Sequence, residues 1–111
     1  MATQTESALL WAKGVYTASA AGSQATTISL GSGQVGHPAL MKVFGTTSGT
    51  ASVEYANSQK VYAACNPNAP AGEAKIPKSA FESATNSITV NIDADAAGTI
   101  TVLIGFVPVK N

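Results

Sequence analysis

The run of residues 98–107, GTITVLIGFV, constrains the fold of this chain more than any other stretch. Its apolar residues begin on alternate positions and then fill both faces of an extended segment. One face is wholly apolar and consists of Ile100, Val102, Ile104 and Phe106. On the other face, two threonines give way to Leu103, Gly105 and Val107. Because a strand packed from two directions has this pattern, we predict a cover other than water over the second face, and in so small a chain another subunit is a natural cover.

The charge content of the chain is unusually low. Charged residues make up 11 % of the 111 residues, whereas soluble domains typically contain about 25 %. Six lysines balance six acidic residues, arginine is absent, and the formal net charge is zero. Because phosphate recognition needs clustered cations, we expect no nucleic-acid partner. A neutral surface of serine, threonine and asparagine is easily buried against neighbours, which favours a subunit of a larger assembly.

Short apolar segments alternate with stretches of glycine, serine, threonine, asparagine and proline. This alternation is typical of an all-β protein, and we predict an antiparallel two-sheet sandwich of the immunoglobulin-like or jelly-roll kind. We expect one domain over residues 1–111, with residues 1–7 as either a short arm or a frayed end. The sequence has no basic leader and no run of 18 apolar residues, so we predict neither processing nor a membrane span. Seven strands are predicted, over residues 9–18, 25–30, 39–44, 51–56, 59–64, 87–92 and 98–107.

The segments between these strands carry further predictions. Residues 45–49 have the length of a turn that pairs strands 39–44 and 51–56 as a hairpin. Gly14 suggests a bulge in the first strand. The loop over residues 65–77 is too long for a hairpin and is predicted to cross between sheets. Residues 77–84 are the best candidate for a helix, so we expect at most one short helix.

The side chains that could carry out chemistry are few and scattered. His37 is the only histidine, it is predicted in a turn, and no Gly-x-Ser-x-Gly elbow accompanies it. Asp93 and Asp95 form the one close acidic pair, but an Asx-type turn explains them better than a calcium loop or a glycosidase pair. Cys65 is the only cysteine, and we predict that it is a small, buried or half-buried side chain. We therefore predict no catalytic residue, no cofactor and no metal site, and no enzyme.

Apolar residues near the two ends of the chain are the candidates for an interface. They are Leu9, Leu10, Trp11, Leu103, Val107 and Val109, and each fits an ordinary core position equally well. Four aromatic residues suggest another reading, because flat rings can stack on sugars. These are Trp11, Tyr16, Tyr55 and Tyr62, for which core and cross-strand packing is the commoner role.

Residues 45–107 resemble the small virion proteins of tailed bacteriophages. The resemblance is in general sequence character and includes no diagnostic motif. It is carried by the segment SGTASVEYANS, a loop rich in Pro, Asn and Gly, and the closing segment ITVNIDADAAGTITVLIGFVPV. Such proteins are often β-sandwiches that decorate or cement capsids, or build tail and fibre parts, as symmetric oligomers. The resemblance therefore implies a location in the virion, a homo-oligomer, and the major capsid protein or another virion protein as partner. It transfers no individual site residue.

Two functions remain open at this level. The first is a capsid decoration or cement subunit that stabilises a shell through neutral subunit interfaces. The alternative is a carbohydrate-binding module, or a receptor-binding domain of the adhesin or tail-fibre type, that uses tyrosines and the loop over residues 65–77.

Overall fold

The protein is all-β in the computed structural model, which describes residues 9–55, 58–77 and 83–109. These residues form eight strands and no α-helix. The strands are β1 (Leu10–Ala18), β2 (Gly22–Ser29), β3 (Gly36–Gly45), β4 (Gly49–Tyr55), β5 (Gln59–Cys65), β6 (Gly72–Lys75), β7 (Ser87–Ala94) and β8 (Gly98–Pro108).

The strands are arranged in two antiparallel sheets of four. Sheet A has the order β1-β8-β3-β6, and sheet B has the order β2-β7-β4-β5. This arrangement confirms the predicted two-sheet sandwich. Strand β8 lies in the interior of sheet A, where it pairs with β1 on one side and β3 on the other.

The core lies between the inner faces of the two sheets. The wholly apolar face of β8 is completely buried there, as predicted. Strand β7 faces it from sheet B with its alternate apolar residues, Ile88, Val90 and Ile92. Met41 of β3 and Val53 of β4 complete the central layer from the two sheets. The apolar residues at alternate positions of these strands therefore form one continuous apolar layer between the sheets.

The predicted hairpin between residues 39–44 and 51–56 is wrong. Strand β3 belongs to sheet A and β4 to sheet B, so residues 46–48 connect the two sheets. Both edges of β3 are already paired, one with β8 and the other with β6, and no edge remains for β4. Strand β4 instead forms a hairpin with β5 and pairs with β7 on its other side.

The predicted bulge at Gly14 is also wrong, because the register between β1 and β8 is unbroken from Leu10 to Ala18. Ile28 of the opposite sheet takes the space of a side chain here, with its Cγ1 atom 2.7 Å from where a Cβ of residue 14 would lie. The register shift occurs in β3, between Pro38 and Leu40. Proline lacks a backbone donor, so it suits an irregular point of the ladder.

The loop over residues 65–77 crosses from sheet B to sheet A, as predicted, and it contains the short strand β6, which was not predicted. A Cβ at Gly72 would collide with the backbone carbonyl of Ala64 in β5. Only glycine allows this close approach between the last strands of the two sheets. Most of the helix predicted at residues 77–84, and the arm at residues 1–7, lie outside the described residues.

Candidate interaction surface

The outward side of sheet A forms the candidate site, and we call it the sheet A surface. The register between its strands brings together side chains from β1, β3, β6 and β8 that are far apart in sequence. It is defined by Leu9, Trp11, Lys13, Val15, Leu40, Lys42, Phe44, Glu73, Lys75, Thr101, Leu103, Gly105 and Val107.

Large apolar side chains are exposed on this surface. Trp11, Val15 and Phe44 retain 37 %, 44 % and 43 % of their accessible area. Leu103, at the centre of the sheet, is half-buried between its neighbours on β1 and β3. The outer face of an antiparallel sandwich usually presents polar residues, so these clustered apolar side chains make the sheet A surface the candidate site.

Trp11 is held in place across the middle of the sheet. It pairs with Gly105 of β8, where a Cβ would lie 3.0 Å from its Cη2 atom and 2.8 Å from Leu9 Cδ1. The indole ring therefore rests on bare backbone and extends from β1 towards β3. There the Lys42 Nζ atom lies 5.4 Å from the ring centroid, within the range of a cation–π interaction. Part of the cover predicted over the second face of β8 is thus supplied by the chain itself.

Three lysines and one glutamate accompany the apolar side chains. Leu103 has Lys13 as its register partner on one side and Lys42 on the other. Lys42 is in turn the partner of Glu73 on β6, where Lys75 is the second charged residue. Among the described residues the sheet A surface therefore carries a positive balance and has lysines on both sides of its apolar centre.

The outer face of sheet B differs in character. Its outward positions carry mostly serine, threonine, asparagine and single charges, and Tyr62 is its one exposed large hydrophobic side chain among the described residues. These positions include Ser23, Thr27, Ser29, Thr50, Ser52, Glu54, Lys60, Tyr62, Thr89, Asn91 and Asp93. The two faces of the sandwich are thus unequal, one apolar and basic and the other polar.

The structure brings four of the six predicted interface residues onto the sheet A surface. These are Leu9, Trp11, Leu103 and Val107. Leu10 points to the other side of β1 and packs against the core. Val109 follows the end of β8 and is exposed. Val15, Leu40 and Phe44 were missed, because their place beside β8 depends on a strand order that no local pattern reveals.

The predicted aromatic platform is not assembled. Trp11 lies on the outer side of sheet A, whereas Tyr16 is partly buried against the core. Tyr55 is half-buried at the end of β4, and only Tyr62 is widely exposed, at 62 %. The four rings therefore do not share a face.

His37 and the other residues considered for chemistry belong to different sheets or to the turns beside them. His37 belongs to β3 rather than to a turn, and it pairs with Val107. Asp93 is exposed on the outer side of sheet B, and Asp95 follows in the turn, where its backbone N–H donates to Ser48 O at 2.9 Å. Within the described ranges, no three His, Cys, Asp or Glu residues are grouped so as to hold a metal ion.

Cys65 is buried, as its sequence context suggests. Its Sγ–H group donates to Thr47 O at 3.4 Å. Burial raises the pKa of this thiol above its ordinary value, and the negative charge of Asp95 raises it further, whereas a hydrogen bond from Gly49 lowers it. Because the reactive form of cysteine is the thiolate, a raised pKa fits an inert structural thiol.

Comparisons of the chain with protein families, with curated proteins and with solved structures found no match. In the part of the chain that the structure describes, no helix has the length and apolar character to cross a membrane.

Proposed function

We propose that this chain is a virion structural protein, a capsid decoration or cement subunit that contacts its neighbours through the sheet A surface. The observation that carries the proposal is the inequality of the two outer faces. Trp11, Val15 and Phe44 are exposed around Leu103 on sheet A, whereas the outer side of sheet B is polar. Exposed apolar clusters of this kind mark interaction sites, and tryptophan is prominent among the residues that dominate interface energies.

The mechanism follows from mass action. A subunit that binds only the assembled shell stabilises that shell, and many modest contacts on one particle add up to a strong attachment. The partners in this proposal are the major capsid protein or another virion protein, and further copies of the chain in a homo-oligomer.

The experiment compares virions banded by density from cells that produce the wild-type chain or its Leu103→Asp variant. We expect the wild-type chain in the virion band and the variant at the top of the gradient. The carboxylate that Leu103→Asp introduces would stand between Lys13 and Lys42 in the free chain, so the variant should keep its circular dichroism spectrum. Val107→Asp should act in the same way, and Thr89→Asp, on the outer side of sheet B, is the matched control.

Equal recovery of wild type and both sheet A variants in the virion band would contradict the proposed interface. Absence of the wild-type chain from the band would contradict the virion role itself.

A second candidate function is a carbohydrate-binding module or a receptor-binding domain of the tail-fibre type. It is favoured by Tyr62, whose ring is exposed beside polar neighbours on sheet B. Its register partner is Ser52, which in turn pairs with Asn91. An aromatic ring flanked by hydroxyl and amide groups suits a sugar. Glycan-array binding that Tyr62→Ala abolishes and Tyr55→Ala preserves would favour this function, and an array without signal would count against it.

A further inference from the structure

We propose that two copies of the chain associate through the outer edge of β2, so that sheet B of one copy continues into sheet B of the other. The two β2 strands run antiparallel in this dimer, and a two-fold axis relates the copies. This inference goes beyond the proposed function, because it concerns a contact between copies that does not involve the sheet A surface.

The backbone of β2 determines what its outer edge can bind. Strand β2 is the last strand of sheet B, and within the described part of the chain it pairs with β7 alone. Leu30 continues this register and donates its N–H to Asn86 O at 2.8 Å, so the even-numbered residues make the hydrogen bonds to β7. The alternate residues direct their N–H and C=O groups to the outer edge, and all four are exposed: Ser23, Ala25, Thr27 and Ser29. The ligand that fits such an edge is another extended strand.

The outer strands of the two sheets differ in their protection against such pairing. Charged side chains, prolines and short length keep the edge strands of natural proteins from pairing with other chains. Strand β1 carries Lys13, β5 carries Lys60, and β6 has only four residues, two of them charged. Strand β2, with the sequence GSQATTIS, has eight residues, no charge and no proline, and its register with β7 is unbroken. Among the described strands, β2 is therefore the outer strand that lacks these protecting features.

The side of β2 that faces sheet A is open over half of its length. Ile28 is buried there, where Gly14 of β1 packs closely against it. Nearer the start of the strand the inward positions are polar, because Gln24 is exposed and Thr26 is half-buried. The Gln24 Nε2 group donates to Thr26 Oγ1 at 3.5 Å. Uncharged side chains at these positions leave the edge accessible and add no charge that would repel a neighbouring strand.

A second copy of β2 is the strand that this edge fits. Two identical strands that pair antiparallel are related by a two-fold axis, so the contact closes as a dimer. The register that uses all four outward-directed backbones pairs Ser23 with Ser29, Ala25 with Thr27, and Thr26 with its own counterpart. Because each of the four hydrogen-bonded pairs exchanges two bonds, about eight backbone hydrogen bonds form. Every cross-strand pair is uncharged, and pairs of threonine and serine stabilise a sheet.

Ala25→Pro tests this pairing. Proline lacks the N–H that Ala25 donates to the second copy, whereas the bonds to β7 remain because this N–H points away from β7. We expect analytical ultracentrifugation to give twice the chain mass for wild type. The dissociation constant of Ala25→Pro should be about tenfold higher or more, because each copy loses a hydrogen bond. Ala25→Val keeps the N–H and suits a strand, so this matched control should remain dimeric.

Hydrogen exchange gives a readout that a general loss of stability would not produce. In the wild-type dimer, the amide of Thr27 should be protected by the second copy and that of Thr26 by β7. In Ala25→Pro at the same concentration, the Thr27 amide should exchange about tenfold faster or more, while the Thr26 amide keeps its protection. Circular dichroism should establish that each variant is folded.

Two outcomes would overturn the inference. One is a folded wild-type chain that is monomeric throughout a dilution series. The other is a wild-type oligomer that Ala25→Pro leaves unchanged, whether or not Leu103→Asp dissociates it. Neither outcome decides the proposed assembly role, because the virion gradient tests that role separately with variants of the sheet A surface.

Discussion

Trp11 lies across Gly105 of the neighbouring strand, with its ring atoms Cη2 and Cζ3 at 3.0 and 3.1 Å from the place where a Cβ of residue 105 would stand. The two residues are register partners in the β1–β8 pair. An aromatic ring laid over a cross-strand glycine shields bare backbone from water and helps to define the register. The same contact orients the indole on the surface that we assign to assembly.

The contact predicts the effect of Gly105→Ala. The added methyl group would occupy the space of the Trp11 ring and of Leu9 Cδ1, and so displace the indole from Lys42. We expect a loss of about 1 kcal/mol in the free energy of unfolding. Trp11 is the only tryptophan, so the fluorescence emission of the protein reports on this ring alone. Because the displaced ring is more exposed to water, its emission should shift to the red and acrylamide should quench it more strongly.

The matched control is Gly22→Ala, because the nearest atom to its new methyl group, the Tyr16 hydroxyl oxygen, lies at an ordinary 3.5 Å. Unchanged Trp11 emission in Gly105→Ala would contradict the account of this contact.

Gly72→Ala tests the close approach of β6 to β5. The methyl group would meet the backbone carbonyl of Ala64, which cannot move aside as a side chain can. We expect urea denaturation to show a loss of about 1–3 kcal/mol, as is usual for overpacking. Hydrogen exchange should also quicken at the Ile76 amide, which donates to Ala39 O just beyond β6. A free energy of unfolding equal to that of Gly22→Ala would contradict the close approach of β6 to β5.

The side chain of Asn86 stabilises the loop that precedes β3 through hydrogen bonds. Its Nδ2 group donates to Gln34 O at 2.8 Å and to Gly31 O at 3.0 Å. Asn86→Asp replaces the donor with a carboxylate that faces carbonyl oxygens, so we expect a loss of about 1–3 kcal/mol in thermal or urea unfolding. Asn68→Asp, in the exposed crossing loop, changes the net charge equally and should cost little. Equal stability of the two variants would refute the assigned role.

The buried thiol predicts a dependence of stability on pH. In the folded chain burial raises the pKa of Cys65, whereas in the unfolded chain the thiol titrates near its ordinary value of 9.0. The contribution of the protonated thiol to the free energy of unfolding is therefore fully present below pH 9, and it is lost as the pH rises through the pKa of Cys65 in the folded chain. Urea denaturation from pH 8 to 10 should show a steeper decline for wild type than for Cys65→Ala. Parallel curves would mean that the thiol is not shielded.

The elements that sequence reasoning predicted correctly are those with a strong local pattern. Strict alternation in β7, with Ile88, Val90 and Ile92 turned inward, identifies both the strand and its buried face. The alternation in β8 likewise identifies its buried face, which consists of Ile100, Val102, Ile104 and Phe106. These features are readable because residues two apart share a face in any strand, whatever its partners are.

Other features depend on contacts that are distant in sequence. Strand β6, with the sequence GEAK, has no β-branched or aromatic residue, and its pairing with β3 makes it a strand. Strand β2 begins at Gly22, three residues before the strand predicted over residues 25–30, because Gly22 pairs with Ala94, the last residue of β7. The sheet A surface was recognised only in part for the same reason, since Phe44 joins Thr101 on it through the order β1-β8-β3.

We propose that another molecule covers the sheet A surface in the assembled particle. Hydroxyl-radical footprinting, read by mass spectrometry, measures this cover at Trp11, with Tyr62 on the opposite outer face as an internal reference. We predict that Trp11 oxidation falls severalfold from the free chain to the virion-bound chain, while Tyr62 oxidation stays unchanged. Trp11 oxidation that is equal in both states, or protection of Tyr62 alone, would contradict the claim.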